Sequence, residues 1–98
     1  MGGNGLLLPQ RPVFEFDPAK SRANERKHGI SFVRAQDLWD DPDLLRIQAR
    51  AQCEPRYVFL GRLDGRVWAA IATYRHGAIR LISVRRARVE EVALYEGP

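Results

Sequence analysis

Two tight-turn signals constrain this chain more than any other feature. Asp64-Gly65 and His76-Gly77 bracket a run from Arg66 to Arg75. Asp-Gly between alternating residues is the strongest short hairpin signal, because a type I′ turn needs positive φ at both central positions. The flanking runs, Arg56 to Leu63, Arg66 to Arg75 and Ala78 to Arg85, are rich in aromatic and branched residues. They read as strands. Hairpin-linked strands are antiparallel neighbours, so the C-terminal half is predicted to be a β-meander. A chain of 98 residues holds one small domain. Its helices must therefore cover that sheet, which makes the fold class α+β.

The N-terminal half supplies the helices. Val13-Phe14-Glu15-Phe16 reads as a short strand. Asp17-Pro18 pairs an N-cap with proline at the first helical position. The helix runs to His28, and Gly29 supplies a left-handed cap. Lys20, Asn24, Lys27 and His28 fall within a sector of about 100°. One face is thus predicted to be a polar, mostly basic stripe, with Ala19 and Ala23 leaving little bulk for the core. Ser31 caps a second helix from Phe32 to Trp39. Phe32, Ala35 and Trp39, with Leu38 beside them, form its apolar face. Asp40-Asp41-Pro42 stops it. Leu44 to Ala49 reads as a strand and residues 50 to 55 as a loop. Ala87 to Glu96 reads as a final helix burying Val89, Val92 and Ala93, ended by Gly97. The predicted order is β-α-α-β-β-β-β-α with an antiparallel sheet.

Residues 1–12 are expected to form a flexible leader, and 13–98 a single domain. No apolar run approaches the roughly 20 residues of a membrane helix, and no signal-peptide pattern opens the chain. Cys53 is the single cysteine, which excludes an internal disulfide and a cysteine-based zinc site. It has no histidine at a readable spacing and reads as inert. A cytoplasmic location is the expectation.

Charge is unevenly placed. The net charge is +4, and fourteen of the sixteen basic residues are arginine. Residues 1–49 balance seven basic against seven acidic side chains, so residues 50–98 carry the whole excess. From Arg75 to Arg88 there are five arginines, one histidine and no acid. A genome-wide preference for arginine explains the choice over lysine but not the missing acids. Clustered guanidinium groups suit phosphate, which they grip through two oxygens at once. Alternation places Arg80, Ile82, Val84 and Arg86 on one face of the last strand, and Ile79, Leu81, Ser83 and Arg85 on the other. Arg85 and Arg86 cannot both enter one site from a regular strand.

Phe14-Glu15-Phe16-Asp17, Lys20, Asn24 and Lys27-His28-Gly29-Ile30-Ser31-Phe32 together resemble the N-terminal signature of the BrnT toxins. Glu54-Pro55-Arg56-Tyr57 with Gly61, then Arg80-Leu81-Ile82-Ser83-Val84-Arg85-Arg86-Ala87, Glu91 and Tyr95-Glu96, resemble the rest. The likeness spans residues 13 to 96. Phe16 stands where the family usually has tryptophan, and Val84 where it often has alanine. The resemblance implies a RelE-like fold and a ribonuclease that arrests translation. It implies neutralisation by a BrnA antitoxin with a ribbon-helix-helix domain. DNA would be reached only through that complex.

RNA cleavage of this kind needs no metal and no cofactor. It needs a base for the 2′ proton, cations on the phosphorane oxygens and an acid for the leaving oxygen. His28 is the best proton acceptor, since an imidazole titrates near neutrality. The competing role is a helix-end histidine bonding the last carbonyls. Arg85 and Arg86 are the expected clamps, assisted by Arg75, Arg80 and Arg88. Lys20 and Lys27 are assigned to phosphate or to the acid–base pair. Asn24 and Ser83 are candidate phosphate contacts. Tyr95 is a candidate for stacking or proton donation, set against a plain core role. Glu91 is expected to pair with Arg85 or Arg88, its pKa depressed by cations. His76, Arg62 and Arg66 read as turn or surface groups. Two rivals share these features: a silent module that binds its antitoxin and regulates its own operon, and a plain RNA-binding domain.

Overall fold

The computed structural model describes residues 11–50 and 54–97; most of the expected leader, and Cys53, lie outside them. The elements are β1 (Phe14–Glu15), α1 (Pro18–His28), α2 (Phe32–Ala35), a 3-10 helix (Gln36–Asp40), β2 (Leu45–Ala49), β3 (Arg56–Leu63), β4 (Arg66–Arg75), β5 (Ala78–Arg86) and α3 (Val89–Glu96). The caps act as expected. Asp17 accepts from the N–H of Ala19, and Ser31 from that of Arg34. Asp64 and His76 both adopt φ of 54°, each followed by a glycine at 77°. Type I′ geometry therefore closes both hairpins. Among the described residues no helix is long and apolar enough to cross a membrane.

The sheet runs β1-β5-β4-β3-β2. β2 to β5 are antiparallel neighbours, but β1 lies parallel to β5, with Phe14 opposite Ile79. The sheet is mixed, which corrects the all-antiparallel expectation. Hairpins dictate direction only for the strands they join. β1 reaches the free edge of β5 from far away in sequence, so no turn sets its sense.

α1, α2 and the 3-10 helix cover one face. Phe32, Ala35 and Leu38 are fully buried there against Phe59, Trp68, Ala70, Ala72, Ile79, Leu81 and Val84. The inward side of α1 is polar rather than alanine: Ser21 and Asn24 are its buried residues, and Ala19 and Ala23 face solvent. Ser21 Oγ accepts from the N–H of Phe32 at 2.9 Å. Asn24 Nδ2 donates to the carbonyls of Ile30 (2.8 Å) and Val84 (2.9 Å), and its Oδ1 accepts from the Val84 N–H (3.1 Å). A helix with little apolar surface is thus docked by side-chain hydrogen bonds to backbone.

β5 carries one extra residue. Ile71 pairs with Ser83, but Ala72 pairs with Leu81, leaving Ile82 without a partner. This bulge shifts the alternation by one. Directly opposed residues share a face. Ile79, Leu81, Val84 and Arg86 therefore share the helix-covered face, while Arg80, Ser83 and Arg85 lie on the other. Arg80 and Arg86 are on opposite sides, contrary to simple alternation.

α3 also departs from expectation. It buries none of its residues, and Val89 is 85% exposed. Glu91, Val92 and Tyr95 turn inward instead of Val89, Val92 and Ala93. The reason is polar anchoring, since Glu91 and Tyr95 both find partners on the body of the domain.

Candidate active site

Helix α1 ends over the β3–β4 hairpin. Gly29, at φ 79°, donates its N–H to the Glu25 carbonyl and closes the helix. His28 is thereby held half-buried beside the turn. Asp64-Gly65 sends β4 back along β3, and Arg66 and Trp68, two residues apart, share the helix-covered face. The bulge brings Arg86 opposite Trp68, with its guanidinium 5.8 Å from the indole centroid. Trp68 is fixed in turn by its indole N–H, which donates to the Leu63 carbonyl at 3.3 Å. His28, Gly29, Leu63, Asp64, Arg66, Trp68 and Arg86 line one cleft of about 440 Å³.

The acid of this cleft is already engaged. Arg34 Nη2 donates to both oxygens of Asp64, at 3.0 and 2.9 Å. Arg34 also bonds Asp37, which Arg11 reaches at 2.7 Å while bonding Asp40 as well. Among the described residues His28, Arg66 and Arg86 have no ion-pair partner. The cleft therefore presents two guanidinium groups, an imidazole and the edge of an indole. That set can neutralise a phosphate and accept a proton beside it.

Arg85 lies elsewhere. It donates to Glu91 through both terminal nitrogens, at 2.7 and 3.0 Å, on the face opposite Arg86. Arg85 and Arg86 do not form one clamp. The Arg85 hydrogen bonds hold the Glu91 carboxyl below the usual glutamate range, against the opposing effect of burial. Ionised Glu91 also accepts from the Arg88 N–H at 2.8 Å, at the start of α3. A depressed carboxylate contributes stability above its unfolded pKa and loses it as pH falls through the folded value. The unfolding temperature should therefore fall below about pH 4.5, the ordinary glutamate value. Glu91→Gln should flatten that fall, measured by thermal unfolding from pH 7 to pH 3. An unchanged slope in the variant would assign the acid sensitivity to other carboxylates.

Tyr95 does not line the cleft either. Its hydroxyl donates to Asp41 Oδ2 at 2.5 Å, and the Arg62 guanidinium lies 5.5 Å from its ring. Burial and the Asp41 carboxylate both push the phenol pKa up. Burial alone would raise Asp41, but the bonds from Tyr95 and from the Arg62 and Asp43 N–H groups outweigh it and hold the acid low. This cluster ties the end of α3 to the 3-10 helix and β3.

The remaining predicted contacts separate. Asn24 is 7% exposed with its amide committed to backbone, so it cannot serve a ligand on the surface. Its burial splits the predicted stripe: Lys20 and Lys27 are exposed, and neither lines the cleft. Arg75 is 3.9 Å from Glu54, and Arg80 is 3.8 Å from Glu15. Ser83 shares the face of Arg85, Arg88 donates its N–H to the Glu91 that Arg85 holds, and neither lines the cleft. Of the residues named from sequence, the structure gathers His28 and Arg86. It adds Arg66, read above as a surface group, and Trp68. The Asp64-Gly65 turn was the available signal for these two, since it puts positions 66 and 68 on one face.

A family model described as "Ribonuclease toxin, BrnT, of type II toxin-antitoxin system" matches residues 16–91. No curated protein matches the chain.

Proposed function

This chain belongs to the BrnT family of ribonuclease toxins of type II toxin–antitoxin systems, and we propose that it cuts RNA in the cleft beside His28. Membership brings an RNA substrate and an antitoxin partner. The convergence of His28, Arg66 and Arg86 in one cleft carries the assignment of the site. In this reading His28 takes the proton of a 2′-hydroxyl, whose oxygen attacks the adjacent phosphorus. Arg66 and Arg86 hold the phosphorane oxygens, where charge stabilisation is usually the largest catalytic contribution. They do not exchange protons, because guanidinium stays protonated. The P–O5′ bond breaks, and the leaving 5′ oxygen takes a proton from water. The products are a 2′,3′-cyclic phosphate and a 5′-hydroxyl.

The same reading includes a RelE-like chain order, arrest of translation in the cytoplasm, and a BrnA-type ribbon-helix-helix antitoxin that covers the basic surface. Purified protein should cleave RNA equally with magnesium and with EDTA, and end analysis should find cyclic phosphates. Cleavage abolished by EDTA, or 3′-hydroxyl ends, would sink the mechanism. One observation favours a regulatory module instead: Arg85 and Tyr95, both implied by the resemblance to be functional, are engaged with Glu91 and Asp41. That reading expects no growth arrest when the chain is expressed alone.

A further inference from the structure

The cleft lies at one end of the helix-covered face, and an aromatic corner lies at the other. Core rings run in a chain from Phe14 to Trp39 (4.9 Å), Trp39 to Phe59 (4.8 Å) and Phe59 to Tyr74 (6.5 Å). Trp39 belongs to the 3-10 helix. Beyond it the chain of rings continues to Tyr74, which is 47% exposed, and half-buried Tyr57, 5.2 Å away. The exposed Arg46 of edge strand β2 lies over both, with its guanidinium 5.1 Å from the Tyr57 ring and 5.9 Å from that of Tyr74. Arg46 Nη1 donates to the Tyr74 hydroxyl at 3.0 Å. Among the described residues Arg46 has no carboxylate partner. A guanidinium held by two phenols rather than by an acid keeps its charge uncompensated at a partly exposed aromatic surface.

We propose that Tyr74, Tyr57 and Arg46 form an accessory platform for unpaired bases of single-stranded RNA. The inference rests on the ribonuclease reading for its choice of ligand. Sequence-tolerant single-strand binding joins aromatic faces, on which any base stacks, to nearby cations that meet the backbone. Arginine stacks on bases as well. A duplex keeps its bases paired inside and gains little from such a surface.

The platform is also separate from the cleft. Trp68 and Tyr74 are six residues apart on β4, about 20 Å at 3.4 Å per residue. Ala70 and Ala72 between them are fully buried. A strand touching both places must pass around the helical layer. At about 3.4 Å per stacked nucleotide the direct span alone takes roughly six nucleotides. The platform would therefore hold flanking sequence and favour long unpaired substrates over short ones.

The test uses fluorescence anisotropy on the full chain carrying His28→Ala, which suppresses cleavage. Three labelled probes are compared: a 16-nucleotide single strand, its duplex and a trinucleotide. Tyr74→Leu should raise the Kd of the single strand roughly tenfold, the effect of losing one stacked base. The duplex and trinucleotide should change less than about twofold on the same reasoning. Tyr74→Phe keeps the ring and should bind the single strand like the parent. Thermal unfolding of each variant separates lost binding from lost fold. An unchanged single-strand Kd in folded Tyr74→Leu overturns the platform, as does an equal loss for the duplex. Weakened antitoxin binding with RNA binding intact would make the corner a protein-docking surface and also overturn it. If the wild type cleaves no RNA but the single-strand effect persists, the ribonuclease reading falls and the platform stands.

Discussion

Asn24→Leu should lower the unfolding free energy by about 3–5 kcal/mol, since buried groups left unpaired cost about 1–3 kcal/mol each. Three backbone groups would lose their partner: the Val84 N–H, the Val84 carbonyl and the Ile30 carbonyl. Leucine has similar bulk but cannot satisfy them. For a domain of this size the melting temperature should drop by roughly 15–30 °C. Urea unfolding of the wild type and the variant gives the free energies directly. A loss below about 1 kcal/mol, the net worth of one ordinary hydrogen bond, would mean that water or a shift of α1 replaces the amide. The effect reaches the cleft because Val84 lies two residues before Arg86, and Asn24 one turn before His28. The same amide docks α1 on β5, the two elements that bring His28 and Arg86 to one cleft.

His28→Ala should reduce single-turnover RNA cleavage by about 10²–10⁴-fold, the usual contribution of a positioned acid–base group. Arg86→Ala should cost about 10²–10³-fold, as removal of one transition-state donor does. Arg86→Lys should recover little of it, since an ammonium lacks the planar fork. Arg85→Met gives the contrast. It leaves the half-buried Glu91 carboxylate without its partner, so the loss should register in stability, with the cleavage rate of folded protein kept within a few-fold. A collapse of cleavage in Arg85→Met, with Arg86→Ala active, would move the chemistry to the opposite face of the sheet.

Local chemistry was legible in the sequence, and long-range docking was not. Asp17-Pro18, Ser31, Asp64-Gly65 and His76-Gly77 act within a few residues of themselves. Each produced its element with ends shifted by no more than a few residues. Asn24 looked like part of a basic stripe because Val84, which it bonds through both backbone groups, lies sixty residues away on a strand whose backbone no helical wheel displays. The final helix misled for a related reason. Val89, Val92 and Ala93 have apolar spacing, but the anchors of that helix are Glu91 and Tyr95, whose partners are Arg85 of β5 and Asp41 just after the 3-10 helix. For the cleft, His28 was visible as the one histidine at a helix end. Arg66 and Trp68 needed the hairpin register, and Arg86 needed the bulge.

Ile82 therefore does more than interrupt a ladder. Every residue of β5 after it owes its side of the sheet to that one supernumerary position. Excising a single codon there would restore even pairing and leave Arg85 and Arg86 on their present sides, whereas flattening the bulge with Ile82 kept in the ladder would exchange them. The guanidinium now gripping Glu91 would swing toward the imidazole, and the one stacked on indole would turn away. Register along a strand thus decides which arginine lines the cleft, so variants that gain or lose one residue in β5 should be compared by facing, not by position in an alignment.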